Sequence, residues 1–177
     1  MYKGNISVKQ AEIHDFSKNG QFPSDHFPVS AEIEFEPSNF KDNLALNKPA
    51  IGSAGCNPAE EAQAAFDGTE YYNSKFCSKS EKKWLQVDLG STQEVSTFVI
   101  KHAGAGGEDS KTNTKDFNIE VSVDGNNWTK VVDVTGNTSN VTIHEISPVS
   151  ARYVKLNITN TGIDNIARIY EFQVYGN

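Results

Sequence analysis

Residues 117–125 read Phe117-Asn118-Ile119-Glu120-Val121-Ser122-Val123-Asp124-Gly125. Apolar and polar side chains alternate, the period of a half-buried strand, so Phe117, Ile119, Val121 and Val123 are expected to point inward. Asp124-Gly125 is a strong hairpin signal and leads into a second strand over residues 128–134. Working outward, the same grammar recurs. Residues 84–89 form a strand ending at Gly90, residues 95–102 are mostly apolar, and 141–146, 153–158 and 169–175 complete the set. Trp84 and Trp128 fall within strand patterns and are expected in the core. The one helix-like stretch, residues 58–66, is about two turns at most. Many short strands split by turn residues indicate an all-β protein, an antiparallel β-sandwich or jelly roll. In such folds strands make the core and binding groups collect on the loops at one end.

Before residue 37 the composition differs. Residues 5–13 place Ile6 and Val8 on one parity and Ala11 and Ile13 on the other. Residues 28–35 alternate more cleanly, with Val29, Ala31, Ile33 and Phe35 set against Ser30, Glu32 and Glu34. Residues 17–23 between them carry loop chemistry. Two strands alone are marginal in water, so this β-hairpin extension packs on something else or comes from something larger. The expected organisation is 1–36, a linker over 37–42, and a main domain over 43–177.

Composition narrows the function classes. With 37% hydrophobic residues the 177-residue chain can bury a core. Its net charge of −7 disfavours phosphate backbones and anionic lipid surfaces. No apolar run is long enough to span a bilayer. No apolar stretch follows Met1, so any export signal would lie upstream of this sequence. Cys56 and Cys77 admit two readings, a pair of reduced core thiols or one disulfide of an exported protein. Their Gly/Ser/Asn-rich loops favour the bridge, which in the chain-entropy picture contributes about 3 kcal/mol. No Gly-x-Ser-x-Gly, His-Glu-x-x-His or phosphate loop is present. Gly104, Gly106 and Gly107 lack the Lys-Ser/Thr of a phosphate cradle and are expected to permit a sharp loop.

An ordered series of short motifs adds a resemblance. Asn43-Leu44-Ala45-Leu46-Asn47-Lys48-Pro49-Ala50, Ala65-Phe66-Asp67-Gly68, Trp84-Leu85-Gln86-Val87-Asp88-Leu89-Gly90, Ser122-Val123-Asp124-Gly125-Asn126-Asn127-Trp128, Ala151-Arg152-Tyr153-Val154-Lys155-Leu156 and Tyr170-Glu171-Phe172-Gln173-Val174-Tyr175-Gly176 follow one another. Over roughly residues 40–177 the chain resembles the discoidin, or coagulation-factor type C, superfamily, and within it the family 32 carbohydrate-binding modules of bacteria. The resemblance implies a discoidin-like jelly roll that binds glycans without catalysis and is extracellular, secreted or at the cell surface, attached to or derived from a larger multidomain enzyme. His102-Ala103-Gly104-Ala105-Gly106-Gly107-Glu108 with Asn113-Thr114-Lys115-Asp116-Phe117 is similar to modules of secreted bacterial endoglycosidases. Terminal galactose-like or N-acetylhexosamine sugars on host or mucin-type glycans are the expected ligands.

The resemblance also implies a structural calcium ion. Its expected ligands are the backbone oxygens of Ala64 and Thr69, the Asp67 carboxylate, Ser74, and Glu171 with the backbone of Tyr170; hard cations take six to eight such oxygens. The competing reading is an Asp67 that caps a turn and a Glu171 paired with Arg168. For the sugar, fork-like polar groups and an exposed ring are needed, and Tyr71, Tyr72, His102, Glu108 and Asn113 are the candidates. Against them stand a hydrogen-bonded strand-end His102 and a structural Glu108–Arg168 pair.

Ser24-Asp25-His26-Phe27-Pro28-Val29 resembles the closing motif of the endonuclease/exonuclease/phosphatase family, whose Asp–His pair activates a water. Only residues 2–36 match, and the other metal ligands of that family are missing, so Asp25 and His26 are read as vestigial. Two alternatives remain open at this point. One is a fragment of a metal-dependent phosphodiesterase or nuclease using Asp25 and His26. The other is a lipid- or protein-binding discoidin module without membrane insertion.

Overall fold

The computed structural model describes residues 5–13, 29–36, 42–70 and 74–176. Asp25, His26, the loop over 17–23, Tyr71 and Tyr72 lie outside the described residues. The chain divides into two compact units, Met1–Phe40 and Lys41–Asn177.

In the first unit β1 (Asn5–Ile13) pairs antiparallel with β2 (Val29–Glu36). The parity switch of β1 has a backbone cause. A register shift between Val8 and Gln10 sets Ile6 opposite Phe35 and Val8 opposite Ile33, then Ala11 opposite Ala31 and Ile13 opposite Val29. One extra residue, a β-bulge, thus brings both parities of β1 into register with a single parity of β2.

The second unit runs β3 (Ala50–Gly52), a 3-10 helix (Ala62–Ala65), β4 (Phe76–Ser78), β5 (Lys83–His102), two short 3-10 helices (Ala103–Gly106, Ser110–Thr112), β6 (Asp116–Ser122), β7 (Thr129–Val134), β8 (Val141–Asn160) and β9 (Ala167–Tyr175). The expected pairs 84–89 with 95–102, and 141–146 with 153–158, prove to be two through-going strands, β5 and β8. Residues 83–88 of β5 lie between β3 and residues 153–158 of β8, which continue to β6 and β7. Residues 97–101 of β5 lie between residues 141–145 of β8 and β9, which continues to β4. Both long strands therefore pass from one layer of the sandwich to the other. The crossing is marked by Gly90, at φ 89°, and by Pro148, which falls in the register shift between Glu145 and Val149 where a missing N–H leaves no gap in the ladder. The buried parity changes there too, from Leu85, Val87 and Leu89 to Phe98 and Ile100.

Between the layers Phe66, Phe98 and Phe172 stack with ring centroids 5.8 and 6.3 Å apart, joined by Phe76, Phe117, Ile119, Val154, Leu156 and Val174. Each fully buried side chain of this size contributes about 1.5–3 kcal/mol. Three expectations are corrected. Val123 is exposed, because β6 ends at Ser122, whose hydroxyl donates to Asp124 as the turn begins. The helix is shorter than 58–66, because Cys56 is tied to Cys77 and the Cys77 N–H donates to the Glu60 carbonyl. Trp84 and Trp128 are only half-buried. Trp84 alternates with the buried Leu85, and Trp128 lies on the turn after Gly125, its ring under the Lys155 ammonium at 3.9 Å.

Candidate glycan site and cation corner

Four chain segments meet at one end of the sandwich around a hollow of about 630 Å³. Cys56–Cys77 is disulfide-bonded and lies in its wall. Glu60 lies close to both sulfurs, but these are bonded to each other, so the trio is no metal site. Lys75 sits 2.9 Å from Glu60 and 3.4 Å from Glu108. Arg168, near the start of β9, meets Glu108 through Nε at 2.9 Å and holds Asp164 with both terminal nitrogens at 3.0 and 2.9 Å. The Tyr170 hydroxyl donates to Glu108 at 2.9 Å, and Asn57 donates to Glu60 at 2.6 Å. Burial would lower the Lys75 pKa, but its bond to Glu60 and the fields of Tyr170 and Glu108 outweigh it and leave it raised. Burial first, then Glu108, raises the Tyr170 phenol.

The glycines of the 104–107 loop have a packing reason. A Cβ on Gly106 would stand 2.1 Å from the Tyr170 ring, and one on Gly104 2.1 Å from the Asn140 amide oxygen. The loop can lie this close only without side chains, and that is what carries Glu108 over the hollow.

Of the residues singled out for sugar contact, Glu108 alone is found in this hollow among the described residues. His102 is fully buried, its ring 5.5 Å from Phe117 and its Nε2 3.2 Å from the Thr142 hydroxyl. Burial, then His144, pulls its pKa down to about 4. Asn113 is buried as well, accepting from the Gly104 N–H at 2.8 Å and donating to the Asn140 amide oxygen at 2.8 Å. Asn113 thus lies beneath the loop and His102 in the core beside Phe117 and Thr142, neither of them on the rim where sugar contact is expected. Asn57, Glu60, Lys75 and Arg168 take their place. Sequence reading had placed Arg168 only as a structural partner and had passed over Lys75. Nothing local to residue 75 shows that it meets residues 60 and 108.

A second cluster lies at the Asp67-Gly68 turn. The Thr69 N–H donates to Asp67 Oδ1 at 2.8 Å, Ser74 donates its hydroxyl to Asp67 Oδ2, and the Gly68 N–H donates to Glu171 Oε1 at 2.7 Å. Ala64 precedes Asp67 at the end of its 3-10 helix, and Tyr170 is adjacent to Glu171 on β9. Glu171 is 0% exposed and does not pair with Arg168, which serves Glu108 and Asp164. Burial first, with Asp67 adding its repulsion, raises the Glu171 carboxyl to about 7. Lys101, whose charge acts the other way on Glu171, is bonded to Glu70. Two carboxylates and a hydroxyl gather at this turn, hard-oxygen donors by chemistry, and a buried acid beside another acid is stabilised by a cation. These residues fit calcium.

The profile of the F5/8 type C domain matches residues 50–172. The chain belongs to that family. Among solved structures, this F5/8 type C domain is similar to the family 32 carbohydrate-binding module of Streptococcus pneumoniae EndoD, at 26% identity and TM-score 0.66, covering 77% of this chain and 100% of that one. It is similar to chitosan-binding module 1 of a chitosanase/glucanase from Paenibacillus sp. IK-5, at 29% identity and TM-score 0.68, covering 77% and 100%. It also shares its fold with CpGH89CBM32-5 of Clostridium perfringens, solved with GalNAc-β-1,3-galactose, at 21% identity and TM-score 0.66, covering 76% and 100%. No curated protein sequence matches the chain.

Proposed function

We propose that Lys41–Asn177 is a non-catalytic carbohydrate-binding module whose glycan sits in the hollow around Glu108 and Arg168. The observation that carries this is a set of fork-like polar groups already held in place at the loop end. Glu108 receives three donors, and Arg168 is fixed between two carboxylates. Saccharide hydroxyls come in pairs that donate and accept, and such forks meet them without first being ordered. Family membership supports the reading, as do the sugar- and chitosan-binding neighbours. A glycosidase needs two carboxyl groups across a cleft, one acting as the acid; here Glu60 and Glu108 converge on the same Lys75 ammonium.

The finer reading is a module that recognises a terminal galactose-like or N-acetylhexosamine sugar, pinned by calcium at Asp67, Ser74 and Glu171, and serving a secreted or surface bacterial enzyme. Neighbours drawn from bacterial glycan-active enzymes support the setting. No described helix is long and apolar enough to cross a membrane. A glycan array followed by calorimetry tests the reading. Glu108→Gln, which keeps the volume but removes the charge, is expected to weaken binding about tenfold or more with the melting transition retained. Unchanged affinity in that variant would place the sugar elsewhere.

A further inference from the structure

We infer that a second hollow, beside the first, receives an anionic substituent of the bound glycan, a carboxylate or a sulfate, on the Lys83 ammonium. The inference rests on the carbohydrate reading above and extends it to a ligand class.

Lys83 opens β5 with the same parity as Leu85 and Val87, so its stem enters the end of the core, and it is 6% exposed. Its Nζ lies under the loop over residues 160–165 and lines a hollow of about 370 Å³. Among the described residues the one bond it makes is to the Asn165 amide oxygen at 2.8 Å, a neutral acceptor. An ammonium carries three donors, and a buried charge without an opposite charge is unfavourable.

Other lysines of this unit are treated differently. Lys75 has Glu60 at 2.9 Å, Lys155 has Glu120 at 2.9 Å, and Lys101 has Glu70. Of the two acids that line the same hollow, Asp164 is already held by both terminal nitrogens of Arg168. Glu81 is exposed at the rim, where water weakens its field. The Asn165 amide N–H₂ stands beside the ammonium, so the hollow presents donors whose natural complement is an oxyanion.

The two hollows adjoin across the Arg168–Asp164 pair, Arg168 lining the first and Asp164 the second. A sugar held by Glu108 and Arg168 therefore brings its own acidic group, or that of the next residue, toward Lys83. The chain's net charge of −7 gives no general attraction for anions, so any preference must arise at this point.

The test is an array of matched oligosaccharides, each in neutral, sialyl or uronate, and sulfated form, followed by calorimetry on the best-bound set at low salt. At least one acidic form is expected to bind about tenfold more tightly than its neutral parent. The carboxylated and sulfated arms show which oxyanion fits. Two variants probe the cause. Lys83→Met removes the charge, and Asn165→Asp gives the ammonium a carboxylate of its own in place of the amide. Both are expected to bring the acidic preference within about twofold while neutral binding is kept. Equal affinity for neutral and acidic forms, or a preference surviving in both variants, overturns this inference alone. Failure to bind any glycan overturns it together with the carbohydrate reading.

Discussion

Around the main hollow, Glu60, Lys75, Glu108, Arg168 and Asp164 alternate in sign, each carboxylate within 3.4 Å of a cation. One residue along β9 from Tyr170, Glu171 is buried beside Asp67, and no ion pair reaches it among the described residues. The two regions share a strand and a loop end but follow different electrostatic plans. The first is complete within the chain, each charge answered by its opposite. The second balances only when a proton or a metal ion supplies positive charge. Fixed internal pairing gives a surface held in place by the chain alone; unbalanced acids make a corner whose stability depends on the solution around it.

The largest expected effect breaks the balanced region. Arg168→Met leaves Glu108 and Asp164 without their common partner and is expected to lower unfolding free energy by about 3 kcal/mol in urea, with glycan binding lost. A loss under about 1 kcal/mol with binding intact would show that the network is not a built site.

The second prediction sharpens the contrast through pH. Glu171 has a folded pKa of about 7 against an ordinary 4.5. Its contribution is whole below pH 4.5 and is lost as pH rises toward 7, because the unfolded chain gives up the proton first. In chelator, stability is expected to fall across that window by at most about 3 kcal/mol, and saturating calcium should abolish the fall. His102, held down to about 4 from 6.5, slopes the other way between those values. The measurement is therefore the difference between wild type and Glu171→Gln, both carrying His102, by thermal melts in chelator at pH 4–8. A flat difference curve would refute the uncompensated acid.

The smallest effect is a control on the sheet surface. Lys155 pairs with Glu120 at 2.9 Å and caps the Trp128 ring, so opposite charges meet there with water beside them. Lys155→Met is expected to change stability by about 1 kcal/mol and leave glycan affinity untouched. An effect as large as that of Arg168→Met would erase the distinction between loop end and sheet surface.

How far these features could be read in advance depended on whether their cause was local. Alternation placed β6, β7 and β9, and even the odd parity change of β1, later explained by its bulge, was visible at Val8 and Ala11. Trp84 was legible too, since it shares parity with Gln86 and Asp88 rather than with Leu85; hydrophobic identity was weighed above position. The continuity of β5 through Gly90 was hidden because its buried parity switches as the strand changes layers. Asp67, Ser74 and Glu171 came from motif resemblance, and hydrogen bonds bring the three together. Lys75 and Lys83 carry no local signal because their partners lie in other segments of the chain, Glu60 and Glu108 for the first and Asn165 for the second. Lysines in loops and at strand starts are ordinary until one asks which acids they meet.

Because β5 and β8 each serve both layers, no cut yields a smaller folded piece. Removing either layer takes half of each long strand with it and strips the other layer of two neighbours. Pairs as distant as Phe98 with Val174 must also form before the layer of β9 and β4 is closed, which places this sandwich among topologies that assemble slowly. The scaffold is therefore kept or lost whole.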